Sequence, residues 1–301
     1  MPEPFRGRGN ELRTLVAACG ARGVARVALV GSGGSGKSTL AAALGYRLGA
    51  RVPGGREWFR VGRWDHRTLL DMLAIRMQVP LGGFRDRARR VARLRRSLAA
   101  RGRTLVVLDN HENDRAMAGL LNALDGVPVC WLITARRCLL SGVSIFPVVP
   151  PLVTAGRSPF PRVAELTALL RWNPLALDVS NALVATGAVS ARALHDWLSR
   201  HGVARVSAIA HEDDLPEIRL LVRWAWPRVG PAGRRLLTVL AHLEGDNVDT
   251  DSLAALARAG RGARAALRRL ARWHLVQQPL PGRWALHATI RHAIESRTRF
   301  D

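Results

Sequence analysis

Residues 31–38, Gly31-Ser32-Gly33-Gly34-Ser35-Gly36-Lys37-Ser38, match the pattern G-x-x-x-x-G-K-[ST]. Each residue type suits phosphate binding. Glycine allows positive φ and leaves no Cβ in the path of an approaching anion. Successive backbone N–H groups then face inward as an anion nest at the positive end of a helix. In such a loop Lys37 reaches the β- and γ-phosphates, and Ser38 is a Mg²⁺ ligand. Gly31 through Ser38, with Thr39 beside them, are the expected contacts. Lys37 is the only lysine, and the other 45 of the 46 basic residues are arginine. A compact ammonium fits a phosphate cradle where a planar guanidinium does not.

A second chemical signal lies downstream. The apolar run Thr104–Leu108 ends in Asp109, and a strand-end acid is the other half of such a site, holding Mg²⁺. The bland reading is an aspartate that turns the chain; the upstream loop favours the metal role for Ser38 and Asp109. Asn110 stands where many ATPases place a second acid to position water, and Glu112 follows two residues later. Arg136 ends another apolar run, 127–134, and is expected near the γ-phosphate, because ligands sit at the carboxyl edge of a doubly wound sheet. With 45 arginines present, a plain surface role for it stays open.

The elements that position these residues read as alternating strands and helices. Val27–Val30 is a β-branched apolar run, followed by the glycine loop and a helix over Thr39–Leu48. A helix over Asn10–Ala18 precedes them. Strands are expected at 56–61, 104–108, 127–134 and 145–153, with helices at 68–77 and 86–100. That order predicts a parallel α/β sheet. From Pro161 the pattern is helical, over 162–171, from Asn173-Pro174 to about 185, and over 190–199. The acidic stretch His211–Asp214 reads as a linker. Helices at 216–226, 233–243, 251–259 and 263–273, then short strands at 275–277 and 283–286, predict a winged helix, closed by a helix over 288–297. The expected domains are 1–155 for the nucleotide, 156–212 helical and 213–301 winged helix.

The composition bounds the partners. Hydrophobic residues make up 48% of 301, which is globular, and the net charge is +23. Binding a nucleotide does not need that much charge, so nucleic acid, an acidic protein or an anionic surface is admitted as partner. The first ten residues carry no apolar leader, and no apolar run is long enough to span a membrane. Cys19, Cys130 and Cys138 lack metal spacing and read as small buried hydrophobes of a cytoplasmic chain. The arginines at 85–96 read as a solvated helix face whose stems cover apolar surface, with docking of an acidic partner or nucleic acid as the alternative.

These motifs together resemble the STAND class of signal-transduction ATPases, in its NB-ARC branch as found in bacterial regulators. Phe5-Arg6-Gly7-Arg8-Gly9-Asn10-Glu11-Leu12 is similar to that family's entry motif beside the adenine, with Gly9 in place of glutamate. Val106–Glu112 is similar to its Walker B strand. Ile133-Thr134-Ala135-Arg136 resembles its sensor strand. Trp172-Asn173-Pro174-Leu175-Ala176-Leu177 resembles the motif whose proline packs on adenine, with Trp172 in place of glycine. Leu286-His287-Ala288 resembles the Met-His-Asp motif, whose histidine contacts the β-phosphate of ADP; Ala288 replaces the aspartate, and Ile290-Arg291 continues the pattern. The resemblance implies a switch binding ATP, ADP and Mg²⁺, with ADP at rest, self-assembly on exchange for ATP, and slow hydrolysis. It implies nucleotide contacts from Arg8, Pro174 and His287 and catalytic roles for Lys37, Asp109 and Arg136, and the chain is expected to be either a stand-alone core or one served by effector and sensor partners on separate proteins.

Two other readings stay open. Arg264, Arg268 and Arg272 recur along one face of the expected third helix of the winged helix, where such domains read DNA. An initiator-type AAA+ ATPase also couples a P-loop core to a winged helix, and Arg162 or Arg171 could serve as its lid arginine.

Overall fold

A computed structural model describes residues 8–20, 25–83, 86–149, 164–202, 215–243 and 247–298. Phe5, Arg6 and Gly7 of the entry motif, Arg85, Arg162 and the acidic linker 211–214 lie outside the described residues. The chain divides into two units: residues 1–32 with 36–149, and residues 33–35 with 150–301.

The first unit contains helix α1 (Gly9–Gly20), strand β1 (Ala25–Val30), α2 (Lys37–Leu48), β2 (Arg56–Arg60), α3 (His66–Arg76), α4 (Arg87–Arg101), β3 (Thr104–His111), α5 (Asp114–Ala123), β4 (Val129–Ala135) and β5 (Ser144–Pro147). The five strands form one sheet in the order β2-β3-β4-β1-β5, every pairing parallel. Period-two alternation splits β1, β3 and β4 between two cores. Val27, Leu29, Leu105, Val107, Cys130 and Leu132 face the layer that includes Leu15 of α1 and Leu44 of α2. Ala28, Val106, Leu108, Trp131 and Ile133 face the opposite layer, with Leu73 of α3, Leu94 of α4 and Leu120 of α5. Both faces are therefore apolar, as a parallel sheet covered by helices requires. Short polar side chains start the helices: Asp65 accepts from Thr68 N, Asp86 from Ala88 N and Arg89 N, and Asn113 from Ala116 N.

The second unit holds α6 (Ala164–Leu169), α7 (Pro174–Ala185), α8 (Ala191–His201), α9 (Pro216–Ala225), α10 (Gly230–His242), β6 (Val248–Asp249), α11 (Thr250–Leu256), α12 (Ala263–Arg272), β7 (Gln277–Leu280), β8 (Arg283–Ala285) and α13 (Ala288–Thr298). One hydrophobic core runs through it, from Leu166 of α6 to Ile294 of α13. The order α10-β6-α11-α12-β7-β8, with the strands paired antiparallel as β6-β8-β7, is that of a winged helix. Strand β6 was not expected from sequence. The first hairpin strand lies at Gln277–Leu280 rather than at 275–277, because Leu275 and Val276 are spent on the core.

Candidate nucleotide site

The phosphate loop leaves β1 at its carboxyl edge, where Gly31 N donates to Ala135 O at the end of β4. Gly34 and Gly36 have φ of 73° and 88°, a region open to glycine at little cost. Gly36 precedes α2, and its carbonyl accepts the bond from Leu40 N that opens the helix. The loop therefore ends on the first turn of α2, whose N–H groups have no partners inside the helix.

Lys37 folds back over this loop. Its Nζ donates to Gly31 O at 2.8 Å and Ser32 O at 2.7 Å. Burial and the nearby Arg136 charge bring its pKa down from the ordinary 10.5 to about 8, with Asp109 opposing the drop. That electrostatic coupling gathers Lys37, Arg136 and Asp109 into one site. Two cations confined near one carboxylate leave positive charge that an anion would neutralise.

Asp109 lies within β3, which runs two residues beyond it. The pairing with β4 slips there: Leu108 faces Ile133, but His111 faces Ala135. The extra residue on β3 is a bulge, with Asn110 at φ 58°. Buried Thr134 holds it from the opposite strand. Its Oγ1 accepts from Asn110 N at 2.9 Å and donates to Asp109 Oδ1 at 2.5 Å. Ser38 Oγ donates to the same carboxylate oxygen at 2.7 Å. A serine hydroxyl converging on a strand-end carboxylate is an all-oxygen donor set of the kind a hard cation takes. The side chain of Asn110, which cannot act as a base, donates instead to Glu112 Oε1 at 3.0 Å.

Arg8 also reaches this region, although it lies far off in sequence. It is 6% exposed, and its Nη2 would stand 3.7 Å from a Cβ on Gly36. It donates to Val149 O at 2.8 Å and to Glu11 at 3.3 Å. Burial lowers its pKa, partly offset by Glu11.

In the second unit, Asn173 caps α7 by accepting from Ala176 N, and Pro174 takes the first helical position. The preceding residues Arg171 and Trp172 both have positive φ, 53° and 54°. Trp172 thus keeps a left-handed backbone where the resembled motif carries glycine. His287 Nδ1 accepts from Thr289 N at 3.1 Å at the start of α13, which leaves the proton of a neutral ring on Nε2.

Sequence reasoning named Lys37, Ser38, Asp109 and Arg136, which the fold gathers into one place. It quoted Thr134 only as part of a motif and gave it no role. The signal available was a hydroxyl residue at the end of an otherwise apolar strand.

The strand–loop–helix, the parallel sheet and the winged helix together define an α/β P-loop NTPase fold. No family model matches the chain, and no curated protein matches it. Among solved structures it is similar to Cdc6p from Pyrobaculum aerophilum, at 14% identity and a TM-score of 0.44, covering 98% of this chain and 96% of that one. It is similar to a Walker-type ATPase of Pyrococcus abyssi, at 14% identity and 0.43, covering 96% and 95%. It is also similar to the Aeropyrum pernix ORC1 protein in complex with DNA, at 16% identity and 0.41, covering 98% and 94%. Among the described residues no helix is long and apolar enough to cross a membrane, and no cluster of three or more His, Cys, Asp or Glu could hold a metal.

Proposed function

We propose that this chain is a switch ATPase that binds Mg²⁺-ATP and Mg²⁺-ADP at residues 31–39 and turns over slowly. The observation that carries this reading is the hydrogen-bonded set Ser38–Asp109–Thr134 beside Lys37 and Arg136, with Asn110 where an acid would activate water. Bound Mg²⁺ would be held by Ser38 and Asp109 and would offset phosphate charge. Lys37 would trade the carbonyls of Gly31 and Ser32 for phosphate oxygens. Arg136 would report whether a γ-phosphate is present. In the finer, STAND-type form of the reading, Arg8, Pro174 and His287 complete the nucleotide contacts, and effector and sensor partners deliver the signal. A switch of this kind works because each nucleotide contacts the two states differently. The test is particle mass by light scattering with ADP and with a non-hydrolysable ATP analogue, together with turnover. Assembly with the analogue and turnover well below ~1 s⁻¹, the low end of ordinary enzymes, are expected. Rapid hydrolysis by an unchanging monomer would overturn the reading.

A second reading is a DNA-binding, initiator-like AAA+ ATPase. It is favoured by α12, on which Arg264, Arg268, Arg269 and Arg272 are all exposed, beside an exposed wing at Gln277–Gly282. Phosphate contacts predict affinity that falls with salt by a log–log slope of about −0.9 per contact. Replacing Arg264, Arg268 and Arg272 together should then flatten the slope by roughly 2.7. No duplex binding at low salt would remove this reading.

A further inference from the structure

A cavity of about 520 Å³ opens between α3 and α4 in the first unit, within the size range of small-molecule sites. It takes in Arg87 and Arg90 of the arginine run at 85–96. Its floor is apolar, formed by Leu70 of α3, Val91 and Leu94 of α4, and Leu81 between them. Its rim is cationic, with Arg67, Arg87 and Arg90.

Two carboxylates line the same space, and both are engaged. Asp65 accepts from Thr68 N at 2.7 Å as the cap of α3. Asp71 takes a short hydrogen bond from Arg90, with Arg67 at 3.9 Å. Arg87 Nη2 lies 3.2 Å from His66 Nε2 and has no carboxylate partner among the described residues. Arg90 Nε is buried without a hydrogen-bond partner among the described residues. Both helices begin at this cavity, α3 at His66 and α4 at Arg87, but Asp65 and Asp86 already cap their first turns, so the positive charge here comes from the guanidiniums.

The imidazole that holds Arg87 is seated deliberately. Gly119 lies inside α5, where glycine costs roughly 1 kcal/mol relative to alanine. A Cβ there would fall 2.4 Å from His66 Cδ2. The glycine makes room for the ring, and the ring in turn fixes the guanidinium at the cavity mouth.

We propose that this cavity binds a small organic phosphate monoester, its phosphate against Arg87 and Arg67 and its apolar body on Leu70 and Leu94. A phosphate monoester is favoured over a carboxylate because its three terminal oxygens and near-dianionic charge can engage both guanidinium forks at once. The cavity is at the carboxyl edge of the sheet, but beside β2, three strands along from the β1 loop.

The test is calorimetric titration with phenyl phosphate. It is run on the chain saturated with Mg²⁺-ADP, and on Lys37→Ala without nucleotide, so that binding at the loop is excluded in both. One site is expected in each case. Arg87→Ala should weaken it at least tenfold while leaving the ADP affinity and the melting temperature unchanged, and benzoate should bind at least tenfold more weakly than phenyl phosphate. Absence of binding, binding indifferent to Arg87→Ala, loss of binding in Lys37→Ala, or benzoate equal to phenyl phosphate would each overturn the proposal.

Discussion

Lys37 in the first unit and the arginines of α12 in the second carry the same charge in opposite surroundings. Five arginines on or beside α12, at 261, 264, 268, 269 and 272, are exposed, so water screens and solvates them. Arg264 pairs with Asp251 at 3.3 Å, but both side chains stand in water. Lys37 is one cation, folded back over its own loop and crowded by Arg136. The difference teaches that the number of charges on a surface says little about chemistry, whereas confinement of one charge says a great deal. A charge in water can be changed cheaply. A confined charge is worth most when a counter-charge arrives.

The comparison would break first at Lys37. Nucleotide at about 100-fold above its Kd should stabilise the wild-type fold by roughly 2.7 kcal/mol, and Lys37→Ala should abolish that gain in a thermal-shift measurement. Survival of the shift would mean that the confined ammonium is not what grips phosphate.

A pH series sharpens the same point. The folded, nucleotide-free chain releases the Lys37 proton near pH 8, while the unfolded chain keeps it until about 10.5. The unfolded state therefore binds more protons across that window, and stability should rise with pH between them. The rise should be absent from Lys37→Met and diminished by bound ADP. A wild-type chain that parallels Lys37→Met from pH 8 to 10 would deny the confinement.

Confinement should matter equally for a buried acid in the other unit. Glu217, in the first turn of α9, is 1% exposed, with Oε2 unpartnered among the described residues. Burial raises its pKa above the ordinary 4.5. The folded state then holds a proton that the unfolded state has lost, so this group favours folding most below pH 4.5 and less above it. Glu217→Gln should raise the melting temperature at pH 7 and reduce that acid-side gain. A drop at pH 7 would show that the carboxylate makes a contact worth more than its burial costs.

Thr134→Val should cost about 1–3 kcal/mol in denaturant unfolding, because it removes both hydrogen bonds that hold Asp109 and Asn110 in the bulge. The smallest effect belongs to α12, where Arg264→Ala or Arg268→Ala should change stability by no more than ~0.5 kcal/mol each.

What could be read from sequence was local. The loop's eight residues are contiguous, and the strands Val27–Val30 and Thr104–Leu108 are uninterrupted apolar runs. Asp86, Asn173 and Ser190 mark helix starts by side-chain type alone, whereas the start of α3 after Asp65 and the whole of α5 after Asn113 went unread. What could not be read depends on partners distant in the chain. β3 continues through Asp109 to His111 because Thr134, 25 residues later, supplies the bonds that stabilise the bulge. Strand β6 is two residues long and exists only because β8 pairs with it. In β7 all four residues are exposed, so no alternation distinguished it from the buried Leu275-Val276 before it. Beside the arginine run that supplies its rim, the cavity between α3 and α4 left a glycine in the middle of α5, and its reason is a histidine 53 positions earlier.

The most direct test of the central claim is calorimetric titration of Mg²⁺-ADP into the nucleotide-free chain at pH 9, repeated in buffers of different ionisation enthalpy. At that pH Lys37 is largely neutral, so binding a diphosphate must draw a proton onto it. We predict net proton uptake on binding, lost in Lys37→Met. Tight ADP binding with no proton uptake, or with the same uptake in Lys37→Met, would contradict the account.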